Sequence, residues 1–204
     1  MKKHIIISTL CAACLLASAP AKAEFNPHDW QVRLRGITVT PQESSDTSNS
    51  GKIHADSGVV PELDISYFFN ENFSTELILA TSKHSVKEVS PNVNLGSVWV
   101  LPPTLTAQYH FVNETPFTPY VGAGINYTVF YNADPGQMSS IKYRNGFGYA
   151  FQAGADYKLD QHWMLNADVK KIMLNTDAHV DGNTVTADVD LNPWVIGFGV
   201  GYRF

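Results

Sequence analysis

The chain has 204 residues, of which 16% are charged and 44% apolar, with a formal net charge of −5. The charge content is below the ~25% of an average soluble domain, yet the chain is too apolar for disorder, which needs low hydrophobicity together with high net charge. A negative balance also lacks the basic footprint of a nucleic-acid binder, so nucleic acid is not an expected partner.

Residues 1–23 read as a secretory signal. Lys2 and Lys3 open it, Ile5 to Ala19 is mostly apolar, and Ala21-Lys22-Ala23 fits the small-x-small cleavage pattern, with cleavage expected after Ala23. The apolar stretch is shorter than the ~20 residues of a spanning helix, although a short N-terminal anchor is the alternative. Both cysteines, Cys11 and Cys14, fall inside this segment. Lipoprotein processing before Cys14 is a further alternative, against which Cys11 occupies the place of the expected aliphatic residue. Cleavage after Ala23 leaves residues 24–204 as one domain without cysteine, so neither a disulfide nor a cysteine metal site is expected. Loss of Lys2, Lys3 and Lys22 takes the net charge from −5 to −8.

The rest of the chain alternates with a period of two. Eight strands are expected, at about residues 29–40, 59–69, 73–84, 99–112, 119–131, 145–157, 163–176 and 188–204. The clearest is the last, where Trp194, Ile196, Phe198, Val200, Tyr202 and Phe204 alternate with Val195, Gly197, Gly199, Gly201 and Arg203. The links between strands alternate in length: 41–58, 85–98, 132–144 and 177–187 are long, whereas 70–72, 113–118 and 158–162 are short. Outer-membrane barrels combine short periplasmic turns with long external loops in this way.

Each strand carries bulky apolar residues on one parity and polar residues on the other. In the first strand Trp30, Val32 and Leu34 oppose Gln31, Arg33 and Arg35; in the second, Leu63, Ile65 and Tyr67 oppose Glu62, Asp64 and Ser66. Within the eight strands only Lys171 places a charge on the apolar parity, near an outer end. A soluble barrel with an apolar lumen also alternates. Aromatic residues gathered at both strand ends, among them Trp30, Phe73, Phe111 and Trp163 at one end and Trp99, Tyr131 and Trp194 at the other, favour two lipid–water interfaces instead. The expected fold class is therefore all-β: an eight-stranded antiparallel transmembrane β-barrel in a bacterial outer membrane, with lipid as its surroundings.

Leu101-Pro102-Pro103-Thr104, the run Pro119-Tyr120-Val121-Gly122-Ala123-Gly124-Ile125-Asn126-Tyr127, and Asn192-Pro193-Trp194 leading into Gly201-Tyr202-Arg203-Phe204 resemble the outer membrane protein W family, which includes alkane-uptake porins. The resemblance covers nearly the whole chain after residue 23. It implies an eight-stranded barrel, passage of small hydrophobic molecules across the outer membrane, and an apolar constriction in the lumen. Ile78 falls where one aliphatic gate residue lies; the opposing position, aromatic in some members, is Lys170 here. Tyr202 and the terminal Phe204 resemble the signal read by the outer-membrane assembly machinery.

Three residue groups are functional candidates. Pro102 and Pro103 sit where the fourth strand should pair, and proline cannot donate to a ladder. They mark either a gap in the wall, through which an apolar solute leaves sideways into lipid, or a simple bulge. Arg33, Arg35, Lys170 and Arg203 share the inner parity with Glu62, Asp64, Glu76, Asp156 and Asp168, as a paired structural network or an ion-selective ring. Asp177, His179, Asp181, Asp188 and Asp190 cluster in the last long link without the spacing of a defined metal site and read as a solvated loop. No nucleophile motif and no phosphate-binding glycine loop occurs, so neither an enzyme nor a cofactor is expected. The expected function is an outer-membrane channel for passive movement of small hydrophobic molecules. Its alternatives are a closed barrel whose loops serve as receptor or adhesion surface, and a narrow path for ions or polar solutes.

Overall fold

The computed structural model describes residues 29–40, 43–44, 53–55, 59–88, 93–134, 141–180 and 185–204. The expected signal segment 1–23 and Asp181 lie outside the described residues.

Strand segments follow in chain order: β1 (Trp30–Thr40), β2 (Glu43–Ser44), β3 (Ile53–Ala55), β4 (Val59–Phe68), β5 (Phe73–Ala80), β6 (Ser82–Glu88), β7 (Val93–Leu101), β8 (Thr104–His110), β9 (Phe117–Asp134), β10 (Ile141–Tyr143), β11 (Gly146–Lys158), β12 (Trp163–Val180), β13 (Val185–Leu191) and β14 (Trp194–Arg203). Antiparallel pairing runs β1–β4–β5–β8–β9–β11–β12–β14 and returns to β1, closing an eight-stranded barrel. The ring closes where Gln31 to Thr40 pair with Arg203 to Trp194. All eight expected strands are present.

The long links are where the sequence reading is corrected. Residues 82–88 and 93–101 form an extended hairpin rather than a loop, and β12 and β13 likewise continue as a pair to Val180 and Val185. Segments such as Ser82–Glu88 carry no apolar parity to reveal them. The short links follow expectation, and each is pinned by a side-chain amide or carboxylate. Asn70 Oδ1 accepts from the backbone N–H groups of Asn72 and Phe73, and Asp160 Oδ1 accepts from those of His162 and Trp163 in the same turn geometry.

The barrel is inverted relative to a soluble protein. Leu34 is 57% exposed and Phe198 63%, whereas the neighbouring Arg33 is fully enclosed and Arg35 is 1% exposed. The apolar outer face suits a bilayer, where a charge at mid-depth costs roughly 2–4 kcal/mol. Lys171, the outward charge, sits at the rim: Nζ donates to the Asn192 carbonyl at 2.5 Å and lies 5.0 Å from the Trp194 ring centroid.

Two glycines permit close strand contact. A Cβ on Gly199 would lie 2.0 Å from the Leu34 carbonyl oxygen, and one on Gly124 would lie 2.0 Å from that of Leu105. These contacts fall at the β14/β1 and β8/β9 seams, half a turn of the ring apart.

Candidate functional site

The inward face is layered along the barrel axis. The half nearer the short turns holds an ionic network. Arg33 donates to Asp156 Oδ2 at 2.7 Å, and it also pairs with Glu76. Arg35 reaches Asp64 at 2.7 Å, Asp168 at 2.8 Å and Glu62 at 3.0 Å. Lys170 bridges Glu62 at 2.6 Å and Asp168 at 3.2 Å. Several of these contacts cross the lumen: β1 meets β11 and β12, and β12 meets β4, none of which are neighbours in the wall, whereas Arg35 meets Asp64 and Glu62 on the adjacent β4. Enclosed charges require such partners, because an unpaired ion taken from water costs several kcal/mol.

Neutral side chains complete the network. Gln152 donates to Asp168 at 2.8 Å and to Glu76 at 3.1 Å, and Gln108 donates to Glu76 at 2.5 Å. Asn166 donates to Asp156 at 2.8 Å and to the Tyr120 hydroxyl at 3.1 Å. A Cβ on Gly154 would lie 2.6 Å from that hydroxyl, so the space the inward glycine leaves is taken by Tyr120. An eight-stranded barrel is narrow enough for side chains to fill it, and at this level they do. Nearer the short turns the Arg203 guanidinium lies 3.7 Å from the Phe68 ring centroid, and Phe68 packs on His110.

Towards the long hairpins the lining changes character. Ile37, Ala150, Ile172, Leu174 and Val195 form an apolar cluster, with Val39, Val60 and Ala80 packed against it. Ile78 points inward, 3% exposed, beside Glu76 and in register with Thr104 and Asp64, and it lies outside that cluster. Lys170 belongs to the ionic layer and caps it, in register with Val195 on β14.

Pro102 and Pro103 interrupt the wall between β7 and β8. On the β5–β6 side, pairing stops at Ile78↔Thr104 and resumes at Ser82↔Val100, so Leu79, Ala80 and Thr81 form no ladder pairs with Pro103, Pro102 and Leu101. On the β9 side the segment is held. The Tyr127 N–H donates to the Pro103 carbonyl at 3.0 Å, and Asn126 Nδ2 reaches the Pro102 carbonyl at 3.1 Å. The break is therefore one-sided, and its proline edge is apolar: the prolines have no N–H, and both carbonyls are engaged by donors away from the gap. On the proline edge of the gap no backbone polar group is left unpaired, as a bilayer demands. Above the break, Thr81 Oγ1 and Tyr131 Oη are 2.6 Å apart.

Of the residues singled out from sequence, Arg33, Arg35, Lys170, Glu62, Asp64, Glu76, Asp156 and Asp168 come together in one network. Gln108, Gln152, Asn166, Tyr120 and Asn126 lie on the inner face with them, and nothing in the sequence marks their partners. Ser74 Oγ and His110 Nε2 are 2.9 Å apart, yet both residues are enclosed and Phe68 and Tyr120 flank the imidazole, so this contact has no approach for a substrate. In the outer hairpin the backbone registers Asp177 with Asp188 and Asn175 with Asp190. Among the described residues no group of His, Cys, Asp and Glu is arranged to hold a metal.

Comparisons with known proteins agree with this architecture. The chain is 44% identical over 183 residues to the outer-membrane protein y4mB of Sinorhizobium fredii, covering 86% of this chain and 80% of the relative. The crystal structure of the outer membrane protein OprG from Pseudomonas aeruginosa matches with a TM-score of 0.80 at 31% identity, covering 87% of this chain and 96% of that one. The solid-state NMR structure of outer membrane protein AlkL in lipid bilayers matches with a TM-score of 0.74 at 25% identity, covering 92% and 95%; the AlkL sequence of Ectopseudomonas oleovorans is 27% identical, covering 91% of this chain and 86% of AlkL. The OmpW family model matches residues 27–204, and the chain belongs to the OmpW family of bacterial outer-membrane β-barrels.

Proposed function

We propose that this barrel passes small hydrophobic molecules from the cell exterior into the outer membrane by passive diffusion. A solute enters among the outer hairpins, crosses the apolar layer around Ile37, Ile172 and Val195, and leaves sideways between Leu79–Thr81 and Pro102–Pro103. The observation that carries this reading is the one-sided break, where the ladder stops at Ile78↔Thr104 and resumes only at Ser82↔Val100. Ala80 links the two features, because it borders the break and packs on the inner apolar cluster. The ionic layer closes the axial route, which turns an apolar solute towards the wall rather than the periplasm. Ile78, directly below Leu79, forms the apolar side of the constriction, and Lys170 forms part of its charged floor.

The filled ionic layer also favours the reading of a closed barrel that acts through its outer hairpins, and it speaks against a path for ions. Tyr202 and Phe204, at the end of β14 with ring centroids 5.0 Å apart, serve as the assembly signal in this proposal.

Uptake of an apolar and a polar tracer into whole cells, with and without the protein, separates these readings. Transport of the apolar tracer alone, lowered by Ile78→Asp, is the expected result. Equal rates with and without the protein would remove the transport reading.

A further inference from the structure

The break at Pro102 and Pro103 has an unusual requirement. Two successive residues of an extended strand ordinarily point their carbonyls to opposite sides. Here both carbonyls are satisfied without using the β5–β6 side. The Pro102 oxygen accepts from Thr104 Oγ1 at 3.0 Å and from Asn126 Nδ2 at 3.1 Å; the Pro103 oxygen accepts from the Tyr127 N–H at 3.0 Å and lies 3.4 Å from Asn126 Nδ2. Asn126 is 1% exposed and faces the lumen one residue from Tyr127. Its Nδ2 also meets Thr104 Oγ1 at 2.7 Å, and its Oδ1 accepts from Thr128 Oγ1 at 2.7 Å. Carbonyl oxygens can only accept, so the amide orientation is fixed by chemistry: its nitrogen must face the prolines.

We infer that Asn126 is the positioning residue of the lateral opening, a side-chain latch that substitutes for the missing ladder and keeps both proline carbonyls turned away from the gap. Without its donors the Pro102 carbonyl keeps only the Thr104 hydroxyl in an apolar setting. It then turns towards Leu79–Thr81, where it places a polar atom in the exit and narrows the break. Thr104 and Thr128 hold the latch, each bonded to the amide from one side. This inference rests on the proposed function for its consequence in transport, whereas the latch itself is a statement about the shape of the wall.

The test uses the full-length barrel in lipid vesicles, with nitroxide labels at Leu79→Cys and Leu101→Cys, which flank the break, and a control pair at Leu77→Cys and Leu105→Cys, which are in register on a sealed ladder. Asn126→Leu removes the donors at similar size, and Asn126→Asp keeps the shape without them. The expected result is a shifted and broadened distance across the break in both variants, with the control pair unchanged. In whole cells, uptake of N-phenyl-1-naphthylamine is expected to fall about fivefold, on the scale of one lost hydrogen bond. In a Pro102→Ala/Pro103→Val background, where the restored ladder closes the gap, the same Asn126 changes should add nothing to the loss of uptake. If either folded variant keeps the distance across the break, the latch is wrong whatever the uptake shows. If the distance shifts and wild-type cells take up no more tracer than cells lacking the protein, the latch stands and the transport reading falls.

Discussion

Arg33 and Asp156 meet at 2.7 Å across the inside of the barrel, joining β1 to β11, two strands that share no ladder. The lumen at that level is therefore spanned by bonded side chains, as the Gln152–Glu76 contact between β11 and β5 also requires. Neither is compatible with an open axial pore at this height.

Removal of Arg33 tests how much the fold depends on that span. Arg33→Ala leaves Glu76 and Asp156 enclosed without their shared cation, and breaking a buried pair from one side costs about 3–5 kcal/mol. Urea unfolding in lipid vesicles should show a loss of that size, and Arg33→Met/Asp156→Leu should lose less than Arg33→Ala alone. A cost below about 1 kcal/mol for Arg33→Ala would mean that water already reaches these carboxylates.

Much of this fold is legible in sequence because lipid enforces parity strongly. Leu63, Ile65 and Tyr67 announce their strand, and Glu62, Asp64 and Ser66 announce its other face. The outer hairpins are not legible in that way, since Ser82–Glu88 has no apolar parity. Partners within the network are not legible either. Arg33 and Asp156 are far apart in sequence, and only the registers of the strand pairings between β1 and β11 bring them to one height. The prolines were visible as a ladder defect. That the defect is open on one side alone, and held on the other by Asn126, depends on where both carbonyls turn, which no residue pattern encodes.

The glycines separate steric need from mere tolerance. Gly199→Val drives a side chain into the Leu34 carbonyl, so it should destabilise the barrel by about 1–3 kcal/mol or prevent closure of the β14/β1 seam. Gly36→Ala adds a methyl 3.4 Å from Val59 Cγ1, an ordinary contact on the lipid face, and should be neutral. The gel mobility of folded and heat-unfolded protein distinguishes the two. Equal tolerance would show that the seam is wider than 2.0 Å clearance implies.

Asp160 gives a dependence on pH outside the membrane. The N–H groups of Trp163 and His162 hold its carboxyl below the ordinary value of 3.8. The folded protein thus keeps it ionised to lower pH than the unfolded chain does. Its stabilisation of the turn is fully present above the unfolded value and is lost as pH falls through the folded one. Carboxyl chemical shifts followed by NMR should place its midpoint below 3.8, and Asp160→Asn should remove that titration; a midpoint above 3.8 would contradict the turn geometry.

The most direct test of the lateral route restores the missing ladder. Pro102→Ala/Pro103→Val restores the missing N–H donors, and the one at position 102 can face Leu79, Ala80 and Thr81, so β7–β8 can pair there with β5–β6. Uptake of an apolar tracer by cells carrying equal amounts of folded wild-type and double-variant barrel is the measurement. A fall to the level of cells lacking the protein is the expected result, and unchanged uptake through the sealed wall would contradict lateral passage.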